Sequence, residues 1–125
     1  GIGGLQEVAD NGVLVSAGRS RRVSPFFVPR VLANMAAGHV SMRWQLRGPN
    51  HAAATACASG AHAIGDAFRL IKNGDADAMV AGGSEASISP LSVVGFSRAR
   101  ALATGYADNP AAASRPFDAA RSGFV

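Results

Sequence analysis

Residues 50–83 leave little freedom of architecture. Residues 50–56 form a run of unusually small, mostly apolar side chains and read as a buried strand. Over residues 58–73, Ala61, Ile64, Phe68 and Ile71 recur at steps of 3 and 4, the spacing of an amphipathic helix. Arg69 and Lys72 fall near its C-terminus, where the helix dipole favours cations, and Gly74 suits a left-handed stop. Residues 77–81 then read as a second, short apolar strand closed by Gly82-Gly83. Strand, helix and strand in this span make a βαβ unit, which requires parallel strands and a right-handed crossover. Neither strand alternates cleanly, so the sheet is expected to be covered on both faces and the fold class to be α/β.

The flanking segments are plainer. Gly1-Ile2-Gly3-Gly4 reads as a turn or a site of close backbone approach. Residues 10–25 are polar, basic and glycine-containing, which suggests surface loop or frayed helix ends. Pro29 fits the first turn of a helix, residues 30–44 carry a small-residue helical pattern, and Gly48-Pro49 would end it. A further helix is expected over 90–102 and a loop over 109–116, after which 117–125 returns toward the core.

Composition narrows the function classes. With 48% hydrophobic and 16% charged residues the chain is globular rather than disordered. No stretch approaches the ~20 apolar residues of a membrane span. A lone cysteine excludes an internal disulfide framework and points to a reducing compartment. The net charge of +4, with Arg19, Arg21 and Arg22 clustered, suggests an acidic partner. Nucleic acid is disfavoured, because no aromatics interleave with the basic residues. The chain starts at Gly1 without methionine and stops at Phe124-Val125 within an apolar run, so it is expected to be an internal piece of a longer protein.

The single thiol, Cys57, sits where the small-residue run meets the helix. If the helix begins at Cys57 or Ala58, unpaired backbone N–H groups point at the sulfur. A helix N-terminus lowers a cysteine pKa from its free value of ~8.5 and favours the nucleophilic thiolate. The Cys57 N–H could in addition hold a developing oxyanion during acyl transfer. A buried structural cysteine is the plainer alternative.

The stretch "TACASGAHAIGDAFRLIKNGDADAMVAGGSE" closely resembles the nucleophile region of the β-ketoacyl-[acyl-carrier-protein] synthases, most of all their type II elongating subgroup. "GIGGL", "SPFFVP", "NMAAGH", "LRGPN", "GFSRARAL" and "SRPFD" agree in order along the whole chain. The resemblance implies a thiolase-like fold, a layered αβαβα sandwich working as a homodimer, of which residues 1–125 would supply most of the N-terminal half. It implies fatty-acid chain elongation: Cys57 takes an acyl chain as a thioester, and malonyl-carrier protein loses CO₂ and attacks it. A polyketide-type ketosynthase and a non-catalytic partner subunit are the alternatives, although partners of that kind tend to lack the cysteine. The resemblance further carries Ile2, Phe27 and Phe96 over as acyl-pocket residues. It makes Arg21, Arg22 and Arg100 docking residues for the acidic acyl carrier protein. No cofactor or metal is expected, since the phosphopantetheine rides on the carrier. His39, His51 and His62 match none of the family's catalytic histidine motifs, which belong to the other half, so this chain alone is not expected to condense. Ser122 stands where the family commonly has Asp in "RDGFV". "SPLSVVGFSRARAL" looks most like animal mitochondrial versions, so the matrix is the expected location, with bacterial cytoplasm and plastid as alternatives.

Overall fold

Helices carry nearly all the regular structure, because their hydrogen bonds close within a few residues. The computed structural model describes all residues, 1–125. Its helices are α1 (Leu5–Ser16), α2 (Phe27–Val31), α3 (Met35–Trp44), α4 (Ser59–Lys72) and α5 (Pro90–Arg98). None is long and apolar enough to cross a membrane. The chain divides into two units, Gly1–Ser87 and Ile88–Val125.

In the first unit, α4 matches the expected helix to within a residue at each end. Its stop is the anticipated one. Gly74 adopts φ +82°, its N–H donates to the Ile71 carbonyl (3.1 Å), and the Asp75 N–H donates to the Leu70 carbonyl (2.9 Å). These two bonds satisfy carbonyls that a helix end otherwise leaves open. α1 ends the same way at Gly18, with φ +68° and the Arg19 N–H donating to the Leu14 carbonyl at 2.8 Å.

α1 continues as regular helix to Ser16, where surface loop or frayed helix ends were expected from residue 10. Asp10-Asn11-Gly12 looks like a turn, yet these polar side chains bond along the helix. Gln6 Nε2 donates to Asp10 Oδ1 (2.7 Å), and Asn11 Nδ2 donates to the Glu7 carbonyl (2.7 Å). Partners four residues apart lie on one helical face. The expected helix over 30–44 is also two helices. Leu32 is extended (ψ 121°) and separates α2 from α3, and α3 stops at left-handed Gln45 rather than at Gly48-Pro49.

The two expected strands are the larger correction. Residues 50–56 and 77–81 form no ladder; only an isolated parallel bridge, Leu102 to Phe124, is present in the chain. Parallel strands persist when both faces are covered, and here they are not: Val80 is 77% exposed. The apolar stripe of α4 is equally open, with Phe68 64% exposed, and only Ala67 of that helix is buried.

In the second unit, Ser89 starts α5 with a reciprocal cap. Its hydroxyl accepts from the Ser92 N–H (3.3 Å), its own N–H donates to Ser92 Oγ (3.0 Å), and Pro90 takes the first helical position. The helix ends at Arg98, short of residue 102, and Pro110–Ala112 adds a single 3₁₀ turn within the expected loop. The expected return of 117–125 toward the core is not seen, since Phe117 and Val125 stand exposed; what is present is a backbone pairing by Phe124. Its N–H donates to the Ala101 carbonyl (2.8 Å), and its carbonyl accepts from the Ala103 N–H (2.7 Å).

Gly123 permits that pairing, because a Cβ there would lie 2.6 Å from the Ala101 oxygen. Gly123→Ala in the complete protein is therefore expected to cost about 1–3 kcal/mol, read as a fall in the denaturation midpoint.

Candidate active site

The sequence around Cys57 folds into a tight turn because its side chains are short enough to let backbone fold over backbone. Ala56–Ala58 is a 3₁₀ turn, and α4 begins at Ser59. The helix start thus falls one or two residues later than expected, with Cys57 on the turn that leads into it. Ala56 is left-handed, with φ +52°. A non-glycine residue held so costs about 1–3 kcal/mol and persists only where its surroundings over-determine it.

Side chains supply that over-determination. The Ser59 hydroxyl accepts from the Thr55 N–H (2.9 Å) and donates to the Ala56 carbonyl (2.7 Å). The Ala58 N–H donates to the Thr55 carbonyl at 3.1 Å. Thr55 Oγ1 and His62 Nδ1 share a hydrogen bond of 2.6 Å. Cys57 itself is exposed, and no hydrogen bond engages its N–H. A solvent-facing sulfur beside an uncommitted donor suits attack on a carbonyl whose oxygen becomes negative.

Two glycine contacts close the surroundings. A Cβ on Gly1 would lie 2.9 Å from Ala56 Cα, and one on Gly83 would lie 3.3 Å from Gly60 Cα. The close approach expected of Gly1-Ile2-Gly3-Gly4 is therefore made against the Cys57 turn. Glu85 ties this N-terminal segment down. Its Oε2 accepts from the nitrogens of Gly1 (3.2 Å) and Ile2 (3.4 Å), and its Oε1 accepts from the Ser87 hydroxyl (2.7 Å). The Ser87 hydroxyl bond, the largest influence, and the Ile2 N–H bond hold the Glu85 carboxyl below its ordinary value of 4.5 against the opposing effect of burial.

The other candidate residues are distributed as follows. Ile2 is 46% exposed, in the segment lying on the turn. Phe27 opens α2 and is half-buried; α2 packs on α1, joined by Arg30 and Glu7 at 2.9 Å. Arg21 and Arg22 share the exposed 3₁₀ turn Ser20–Arg22. Phe96 and Arg100 belong to the second unit. There Phe96 packs edge-on against Phe124, with ring centroids 5.7 Å apart, and Arg100 is left-handed (φ +55°) just past α5. His51 faces Asp66 at 3.5 Å, and His39 lies exposed on α3. Sequence reasoning singled out none of Thr55, Ser59 and Glu85, and gave His62 no catalytic role.

A lowered carboxyl pKa adds stability above its unfolded value and loses it as pH falls through the folded value. Glu85→Gln is therefore expected to lower the unfolding midpoint of the complete protein near neutrality. The gap from wild type should close as pH drops below 4.5, measured by thermal denaturation across pH.

The family model "Beta-ketoacyl synthase, N-terminal domain" matches residues 1–125. The chain is 59% identical over its full length to the mitochondrial 3-oxoacyl-[acyl-carrier-protein] synthase of Arabidopsis thaliana, covering 27% of that protein. It is 58% identical to 3-oxoacyl-[acyl-carrier-protein] synthase 2 of Rhizobium meliloti, covering 30%. A crystal structure of a β-ketoacyl synthase from Burkholderia phymatum superposes with a TM-score of 0.77 at 32% identity, over 99% of this chain and 30% of that one. The chain thus spans under a third of the length of these relatives. The matched family extends over the Cys57 turn and every other segment described above, and the chain belongs to the β-ketoacyl synthase family.

Proposed function

We propose that the protein carrying this chain is a condensing acyltransferase of fatty-acid synthesis, a 3-oxoacyl-[acyl-carrier-protein] synthase, with Cys57 as its nucleophile. One observation carries the reading: in a β-ketoacyl synthase chain, the lone cysteine stands exposed on a braced turn with its own N–H free. The Cys57 sulfur attacks the carbonyl of an acyl thioester and expels the carrier's phosphopantetheine thiol. Malonyl-carrier protein then loses CO₂, and the carbanion attacks the Cys57 thioester. A carbon–carbon bond forms, the carbon–sulfur bond breaks, and the cysteine is regenerated. Covalent capture divides one hard condensation into two easier steps.

The fold proposed for the complete protein is the layered αβαβα thiolase-like sandwich in a homodimer. The open apolar face of α4 and the unpaired segments 50–56 and 77–81 support it, since each lacks the cover such layers supply. Ile2, Phe27 and Phe96 are proposed to line the acyl path, where apolar walls gain about 0.8 kcal/mol per buried CH₂. Arg21, Arg22 and Arg100 are proposed to meet the acidic carrier. The mitochondrial name of the Arabidopsis relative supports a mitochondrial location, while the Rhizobium relative keeps the bacterial alternative in view.

Incubating the complete protein with an acyl thioester should add one acyl mass at Cys57 by mass spectrometry, and Cys57→Ser should abolish turnover. Reversing Arg21 and Arg22 to Glu should lower kcat/KM about tenfold or more for carrier-linked substrate, because charge complementarity sets the encounter rate. Small-molecule thioesters should react as before; equal losses on both would count against docking.

A further inference from the structure

The side-chain bonds around the Cys57 turn are more than helix capping. Ala58 is the N-cap of α4, and its side chain makes no capping bond. Ser59 does not serve the helix either: its hydroxyl reaches back to the Thr55 N–H (2.9 Å) and the Ala56 carbonyl (2.7 Å). His62, nearly one turn further along, reaches back to Thr55 Oγ1 (2.6 Å). These bonds link residues on both sides of Cys57, two reaching Thr55 and one the carbonyl of the strained residue before the cysteine, Ala56 at φ +52°. They also leave the Cys57 N–H uncommitted.

We infer that Thr55, Ser59 and His62 are positioning residues for Cys57: a hydrogen-bonded brace that holds the sulfur and its N–H in attacking geometry without drawing on either. The inference rests on the reading of Cys57 as nucleophile. Its chemical logic is economy of donors. A turn closed by its own central N–H would occupy the group that a developing oxyanion needs. Here a hydroxyl and an imidazole do the closing from α4, the most regular element nearby. Ser59 must accept and donate at once, which alanine, glycine and cysteine do poorly and threonine does well. Holding reacting atoms in place matters steeply, since a misplacement of about 1 Å can cost on the order of 100-fold in rate.

The test uses the complete protein and single-turnover acylation of Cys57 by a small acyl thioester, followed by mass spectrometry. Thr55→Val, Ser59→Ala and His62→Ala are each expected to slow acylation by about 10–100-fold with apparent KM changed less than about threefold. Thr55→Ser, Ser59→Thr and His62→Asn, which keep a hydroxyl or a polar atom near Nδ1, should recover most of the rate. Recovery of this kind is not expected of a residue that merely fills space. Acylation within about twofold of wild type in the three deletion variants would overturn the inference, as would slow acylation that the conservative variants fail to restore. If Ser59→Ala does not fold, the Thr55→Val and Thr55→Ser pair decides alone. Cys57→Ala separates the two levels: an unlabelled Cys57→Ala protein with fast brace variants sinks the brace only, whereas wild-type labelling of Cys57→Ala sinks the nucleophile assignment beneath it.

Discussion

Around Cys57, main chain meets main chain with no side chain between. Gly1 lies against Ala56, and Gly60 lies against Gly83. Each contact forbids a Cβ or leaves barely room for one, and together they gather the N-terminal segment, the turn, the head of α4 and the segment after residue 81. The alanine- and glycine-rich wording of residues 50–65 is the sequence cost of that convergence. Larger residues would pack a better core, but they would hold the backbones apart and leave the turn without its neighbours.

Helix and strand fare differently in this chain for one reason. A helix closes its hydrogen bonds within a few residues, so α1 and α4 carry their own glycine stops and α5 its own serine cap. A parallel ladder draws its partners and its cover from distant sequence. Segments 50–56 and 77–81 have the composition of buried strands but remain unpaired, and Val80 stands largely in the open. The apolar stripe of α4 behaves likewise: its pattern is that of a buried helix, and its surroundings are not.

This difference explains what could be read beforehand. α4, its glycine stop and the helix after Pro90 all followed from short-range signals such as 3- and 4-residue spacing, Gly74 and Pro90. The position of Cys57 ahead of a helix was legible too, though its turn was not, because a left-handed alanine leaves no mark in sequence. α1 was hidden behind Asp10-Asn11-Gly12, whose turn-like chemistry is overruled by bonds along the helix. The brace of Thr55, Ser59 and His62 was illegible for a similar reason. Hydroxyls and imidazoles announce polarity, not partners, and only the fold of the turn selects which atoms meet.

Arg100 carries a quieter consequence. Two helices of this chain, α1 and α4, end on a left-handed glycine, whereas α5 ends on a left-handed arginine. An engineer seeking heat resistance would replace that arginine with glycine, a routine stabilising exchange at such a position. The exchange would erase a cation proposed above to meet the carrier. On that proposal, thermal robustness and traffic with the carrier compete for the same residue, and selection for one trait in the laboratory would be expected to erode the other.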